Sequence, residues 1–467
     1  MPSSETIGPV RMERVALVAV PDRLRAVLVQ VADAGVVQLD TTAGEEETDD
    51  PAARRLHRLP HSDAPARLAA GPPDLDALER AARTDLLAGE VELAGYTARA
   101  VRRGNVAALT GWCPAPELPA LAERIAPLGG ALAPIPVPQG ATPPTLLAGG
   151  RAVRRSFAPL VRTYGTVPYA DVDPTVGAGI AYVVMFGMMF GDAGHGLLLL
   201  VLAGLMRAGR PRPLARLREA WAFVAAAGLA ATCFGALYGE FFGPTGVLPV
   251  LWLHPLEDPL QLLAVAIGVG AVLLGVAYAV GTVNRWREGG ARLALYAPSG
   301  IAGSAVFVGI GGIVGGGLAG SSALIGGGVI VAVAGLVLAA AGLYAESGGG
   351  PTGVVQTGVG LFDVVVRLGS NLVSFARLAA FGMTHAALGW VVWQGTVALA
   401  GLGWLGIVGA VVVFVAGNIV TFTLEALVAG VQALRLEFYE LFSRVFTTEG
   451  TPFRPWHVPL STLEDAP

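Results

Sequence analysis

Apolar and polar positions divide this chain into two unlike parts. Over residues 14–137 the apolar positions come in short runs of strand or helix length. Residues 14–20 read as a strand, Pro21 opens a helix that Gly35 ends, and 36–40 reads as a second strand. A similar order returns with a strand at 106–112, a helix from about 115 to 128, and a strand at 131–137. Two β-α-β units predict a small two-lobed α/β head within residues 1–165. Between them, residues 74–103 have helical spacing and mixed charge but too little apolar surface for a core of their own, so they read as an arm. From Tyr169 onward the apolar runs lengthen. They predict eight helices at about 175–191, 194–208, 219–241, 260–282, 294–318, 322–345, 361–400 and 403–443, a membrane domain over 166–467 that ends in a tail. The first six lie near the ~20 residues that cross a bilayer, or slightly short of it. About 40 helical residues reach on the order of 60 Å, twice the hydrocarbon core of ~30 Å. The last two helices are therefore expected to tilt strongly or to project from the membrane.

Composition agrees with this division. The chain is 54% apolar and only 14% charged, and 19 of its 35 acidic residues precede residue 151. The fold class expected is a mainly α-helical polytopic membrane protein with a small N-terminal α/β head. All 31 basic residues are Arg, so an Arg signals nothing by identity and its position must carry any case. The basic residues form no cluster of nucleic-acid type. Cys113 and Cys233 fall in different domains, which disfavours a disulfide or a metal site, and no cofactor is implied. Loop charges orient the spans. Arg207, Arg210, Arg212, Arg216 and Arg218 follow the second span; Arg285, Arg287 and Arg292 follow the fourth; and the loop at 346–360 is nearly neutral. The positive-inside rule then puts both termini in the cytoplasm, in keeping with an N-terminus that lacks a signal-peptide pattern. The acidic loop at 45–50 reads as solvated. The Gly-rich fifth and sixth spans read as close helix packing.

Candidate chemistry lies in the long final spans. Asp363, Arg367, Ser370, Ser374, Arg377, Phe381 and Thr384 recur at steps of four and three, so they share one helical face with His385 beside it. An intramembrane guanidinium keeps its charge at any accessible pH and marks a functional site when a carboxylate can partner it. In the eighth span Asn418, Glu425, Gln432 and Tyr439 follow at sevens, with Arg435 on the flank. Glu425 and Arg435 are about 15 Å apart in rise, and Asp363 and Arg377 about 21 Å. Groups spread in depth suit an ion route better than a catalytic dyad; packing against other helices is the bland alternative. His385 reads equally as a hydrogen-bonded packing group or a proton relay. Asp192 and His195, in a Gly-rich turn between the first two spans, read first as turn-capping groups.

Several motifs resemble the membrane stator subunit of V/A-type rotary ATPases, called subunit a or subunit I. FGMMFGDAGHG at 186–196 is similar to the signature closing that family's first transmembrane helix, and YADVDPT at 169–175 to its approach. SFARLAAFGMTHA at 374–386 resembles the segment holding its essential Arg. Glu425, the run ALRLEFYELF at 433–442 and GTPFRP at 450–455 resemble its final helix and tail. The resemblance implies that Arg377 faces the carboxylates of a rotating proteolipid c-ring, with Arg435 the second arginine of that site. Glu425, His385 and Asp363 would line aqueous half-channels, with Gln432 standing where eukaryotic relatives carry a His. Implied partners are the ring, peripheral-stalk subunits, the central-stalk and V1-type ATPase sector, and the lipid bilayer; the expected location is a prokaryotic cell membrane. The head is about half the family's usual size, which leaves little room for a long coiled-coil arm. A proton-coupled secondary transporter is the alternative, against which no inverted repeat stands out. A membrane metalloenzyme ranks third, with six scattered His and two Cys.

Overall fold

The computed structural model describes residues 8–40, 50–62, 64–147, 152–446 and 448–461. The acidic loop lies outside these residues except for Asp50. The chain divides into two compact units, one of Met1–Ala148 with Gly450–Pro467 and one of Gly149–Glu449.

The first unit is built on a single antiparallel sheet. β1 (Met12–Ala19) lies at its centre, β4 (Val106–Pro114) on one side and β5 (Gly130–Pro134) on the other; β2 (Gln38–Leu39) and β3 (Val101–Arg103) both pair with β4. The two β-α-β units expected as separate lobes thus interleave, because β1 has apolar side chains to share with both returning strands. Helix α1 (Pro21–Ala34) starts on Pro21 and stops at Gly35, whose φ of 61° is the left-handed geometry a helix stop needs. Its Leu24, Val27, Leu28 and Val31 pack on the sheet with Leu121 and Ile125 of α5 (Leu118–Ile125). A smaller cluster forms where α2 (Pro51–Leu56), capped by Asp50, meets α3 (Leu75–Arg80) and α4 (Thr84–Arg99).

The tail corrects the expected boundary, since it belongs to this unit. Trp456 and Val458 are buried in the sheet's core. Trp456 N–H donates to Val37 O at 2.9 Å, its indole donates to Glu92 Oε2 at 2.9 Å, and its ring meets Tyr96 at 4.5 Å. Leu68 N–H donates to Pro459 O at 3.0 Å, and Ser461 N–H to Leu68 O at 2.9 Å. A few apolar residues spaced by Arg, Pro and His carry no periodic signal; only their distant partners reveal the strap.

The second unit is helical. After α6 (Ala152–Tyr164) come two short apolar helices, α7 (Thr175–Met189) and α8 (Ala193–Ala208), the small α9 (Arg212–Ala215), and α10 (Trp221–Tyr238). α11 (Pro259–Tyr296), α12 (Ile301–Ala319), α13 (Ser322–Glu346), α14 (Gly350–Ser374), α15 (Ala376–Ala400) and α16 (Trp404–Leu436) follow, and a π-helical turn Glu437–Phe442 leads to α17 (Ser443–Val445). Among the described residues, six helical stretches are long and apolar enough to cross a membrane; α7 and α8 are apolar but shorter. The chain is a multi-pass membrane protein.

Several expected bounds move. The fourth span runs to Tyr296 and carries Arg285, Arg287 and Arg292 within the helix, with non-helical geometry at Gly289 and Gly290. The neutral loop at 346–360 shrinks to three residues, since α14 opens on Gly350 and Pro351. The expected single helix 361–400 is interrupted at Phe375, where the hydrogen bonding tightens to Leu372 O. Glycines of α12 and α13 interlock: a methyl group on Gly309 would lie 2.4 Å from Ala332 N, and one on Gly328 2.7 Å from Gly309 O.

The YADVDPT approach is pinned before α7. Asp173 pairs with Arg154 at 3.1 Å and accepts from Thr175 N at 2.9 Å. Buried Asn284 accepts from Val172 N at 3.0 Å and donates to Val445 O at 3.1 Å. Asp171 is fully buried, and no N–H or O–H donor among the described residues reaches its oxygens. Burial, and next the facing Glu288 carboxylate, push its pKa up to about 8, against the opposing pull of Arg285 and Arg287.

Candidate functional site: two polar centres on paired helices

α15 and α16 pack side by side and carry both centres. The first is buried between them and the α7–α8 turn. Asp192 caps α8 with no solvent exposure: its Oδ1 accepts from His195 N at 2.9 Å and Phe242 N at 3.0 Å, and its Oδ2 from Gly243 N at 2.7 Å. Gly243 has φ +88° and lies against Gly389, so this loop can approach only without a side chain. His195 Nε2 meets Asn418 Oδ1 of α16 at 3.1 Å. His385 Nδ1 of α15 is hydrogen-bonded to Glu425 Oε2 of α16. Phe190 caps the group, its ring 5.7 Å from that of His195 and 5.0 Å from that of His385. The two histidines are 5.6 Å apart by ring centres.

Glu240, in the turn after α10, completes this centre and escaped the sequence reading. It is 1% exposed, neither carboxylate oxygen has a hydrogen-bond partner among the described residues, and Asp192, His385 and Glu425 are its charged neighbours. The available signal was an acid inside an apolar run, Tyr238-Gly-Glu-Phe-Phe-Gly243, at the end of the predicted span 219–241.

Asp192, His195 and His385 offer ligand atoms within 4.8 Å of one another. Asp192 is committed to three backbone N–H groups and His385 Nδ1 to Glu425, so the donors fit a hydrogen-bonded network better than a metal cage.

The second centre surrounds Arg377, half-buried at the start of α15, with Nη1 buried and unpartnered. Arg377 makes no ion pair among the described residues. The charges acting on it are Arg435 and Glu440. Arg435 is exposed, Gln432 is half-buried with an unpartnered Oε1, and Tyr439 is exposed. With its amide turned to satisfy both neighbours, Asn371 donates to Glu440 Oε2 at 2.8 Å and accepts from Arg444 at 3.1 Å. Phe375, two residues before Arg377, is fully buried against α11: a methyl group on Gly270 would lie 2.3 Å from Phe375 Cγ. Glu440, Arg444 and Asn371 went unremarked in the sequence because a helical period cannot tell which neighbour each will meet. Asp363 joins neither centre; it forms an exposed pair with Arg367 at 2.7 Å.

Among the described residues, six membrane-length helical stretches accompany a buried group of acids and histidines and a guanidinium without an ion pair, which makes the class that of a multi-pass membrane protein with polar centres inside its helices. Comparison with known proteins narrows that class. Residues 99–244 match the model of the "V-type ATPase 116kDa subunit family". The chain is 27% identical over 348 residues to the A-type ATP synthase subunit I of Aeropyrum pernix, covering 64% of this chain and 50% of that protein. It is 26% identical over 401 residues to that of Pyrococcus horikoshii, covering 80% and 57%. A segment of 99 residues is 41% identical to V-type ATP synthase subunit I 2 of Treponema pallidum, covering 21% and 22%. Over these stretches the chain is similar to the subunit I/a family of V/A-type ATPases. It spans about half the length of the first archaeal relatives it matches.

Proposed function

We propose that this chain is the membrane stator subunit of an H+-translocating V/A-type rotary ATPase or ATP synthase, forming two ion half-channels against a proteolipid ring. The observation that carries this reading is the order of groups along α14 and α15. Asp363 lies about 21 Å before Arg377, and His385, joined to Glu425, lies about 12 Å beyond it. Carboxylates therefore stand on both sides of Arg377, which has no ion pair among the described residues, at different depths. The His385–Glu425 centre, with His195, Asn418 and Glu240 around it, suits one half-channel; the exposed face of Asp363 and Gln432 suits the other.

Arg377 keeps the two apart. A fixed positive charge repels a bare proton between the half-channels. It also attracts a ring carboxylate that has lost its proton, offsetting the cost of bringing that charge into a low dielectric. Arg435 extends the positive field, and Glu440 with Asn371 limits its drift. Each elementary charge crossing 100 mV exchanges roughly 2.3 kcal/mol, which rotation would couple to ATP chemistry on the V1-type sector, this chain having no ATP site of its own. Peripheral-stalk subunits would hold it against the torque. The loop arginines support a cell-membrane orientation with both termini cytoplasmic.

Arg377→Lys in the assembled complex tests the reading. An ammonium keeps the charge but not the planar, delocalised shape. Assembly should be retained while ATP-driven acidification of reconstituted vesicles is lost. Normal coupled pumping by this variant would overturn the assignment.

A further inference from the structure

The loop arginines after α8 served above only to orient the spans, yet three basic side chains of this region meet in one place. Arg155 of α6, Arg207 at the end of α8 and Arg218 of the turn before α10 line a cleft of about 480 Å³ together with Glu219 and Trp221. None of the three guanidinium groups has an ion-pair partner among the described residues. Against them stands the single Glu219 carboxylate, so the lining carries three positive charges and one negative. The walls are tied together: Ser156, next to Arg155, donates to Glu219 O, and Arg207 lies over the Trp221 ring, 4.8 Å from its centre.

The depth of the cleft identifies its ligand. Leu197 is exposed and Leu200 half-buried on the side of α8 that leads to Arg207. Trp221 opens α10, one of the membrane-length helices. An apolar face giving way to Arg beside a Trp is the pattern of the headgroup layer. Phosphate oxygens match the forked donors of Arg, and an anionic headgroup concentrates where basic residues flank a span. We infer that this cleft binds the phosphate of an anionic phospholipid, its acyl chains lying along Leu200 and Leu197. The inference rests on the membrane reading of the helices but not on the half-channel assignment; Arg377 and its neighbours take no part in it.

Native mass spectrometry of the full chain, released from micelles containing equal phosphatidylglycerol and phosphatidylcholine, tests it. The wild-type chain should retain phosphatidylglycerol preferentially. Combined Arg155→Gln, Arg207→Gln and Arg218→Gln substitutions should lower that retention about tenfold, while Arg103→Gln on the head leaves it unchanged. Glu219→Gln should raise it by removing the opposing charge. Millimolar inorganic phosphate should not displace the lipid. Equal retention by the wild-type and triple-variant chains overturns the inference. Displacement by phosphate alone also overturns it and marks a free-phosphate site. A triple variant that misfolds is recognised by a lowered melting temperature, and the Glu219→Gln arm then decides: no gain in lipid retention counts against the site.

Discussion

Asp192 offers the sharpest separation of a structural role from a conducting one. Its carboxylate has no solvent exposure and accepts from three backbone N–H groups, those of His195, Phe242 and Gly243. Asp192→Ala leaves all three donors unpaired. The loop cannot turn them elsewhere, because Gly243 already touches Gly389. A buried unsatisfied donor costs about 1–3 kcal/mol, and adjacent bonds are not additive, so the loss should total on the order of 3–6 kcal/mol. At roughly 2–4 °C per kcal/mol for a unit of this size, the melting temperature should fall by roughly 6–24 °C. Asp192→Asn keeps one carbonyl oxygen for His195 and Phe242 but turns an amide N–H toward Gly243 N–H. It should cost about 1–3 kcal/mol. Thermal unfolding of the purified chain in micelles should therefore rank wild type above Asn above Ala. An Ala variant melting within 1–2 °C of wild type (a margin roughly equal to half a kcal/mol) would refute the reasoning. Proton transport by the reconstituted complex adds the second axis. If Asn folds stably yet abolishes transport, the carboxylate's charge acts in conduction as well as in capping.

Two further expectations follow from packing and burial. Gly270→Ala places a methyl group 2.3 Å from Phe375 Cγ and so must move Phe375 and, two residues on, Arg377. Overpacking of this kind costs about 1–3 kcal/mol, and ATP-driven acidification should drop far more than complex assembly does; unchanged transport would show that Phe375 does not set the position of Arg377. Asp171, with its pKa raised to about 8, holds a proton in the folded state that the unfolded chain releases near pH 4. The folded state thus binds more protons between about pH 4 and 8, and stability should fall as pH rises through that window, by up to about 1.4 kcal/mol per pH unit. Melting curves from pH 5 to 9 should show a decline that Asp171→Asn flattens; a parallel decline in both proteins would place the titration elsewhere.

The sequence and the structure contribute different things, and the division has a physical cause. Periodicity is a local property. It was enough to find α1 between Pro21 and Gly35, β1 and β4, and the long apolar runs, because propensity, end signals and burial all act within a few residues. Motif order was enough to suggest the family and to single out Arg377, Glu425 and His385. Bounds failed where polar residues continue a helix, as at Arg285–Arg292 within α11 and in the first turns of α14. A charged helical turn and a charged loop have the same composition.

What only the tertiary structure decided is pairing. Asp363 and Arg377 share a helical face in the sequence, yet Asp363 pairs with Arg367 four residues on. Glu425 meets His385 from another helix, and Glu240 enters their neighbourhood from the turn after α10. Trp456, in a tail with no periodic signal, is buried in a sheet built from the first part of the chain. Such contacts depend on which surfaces survive the competition for burial, a property of the whole fold that no window of sequence contains. The chain by itself thus determined where helices form and which groups carry charge into them. Tertiary packing decided which of those charges are neutralised by a neighbour, and it left Arg377 without an ion pair among the described residues.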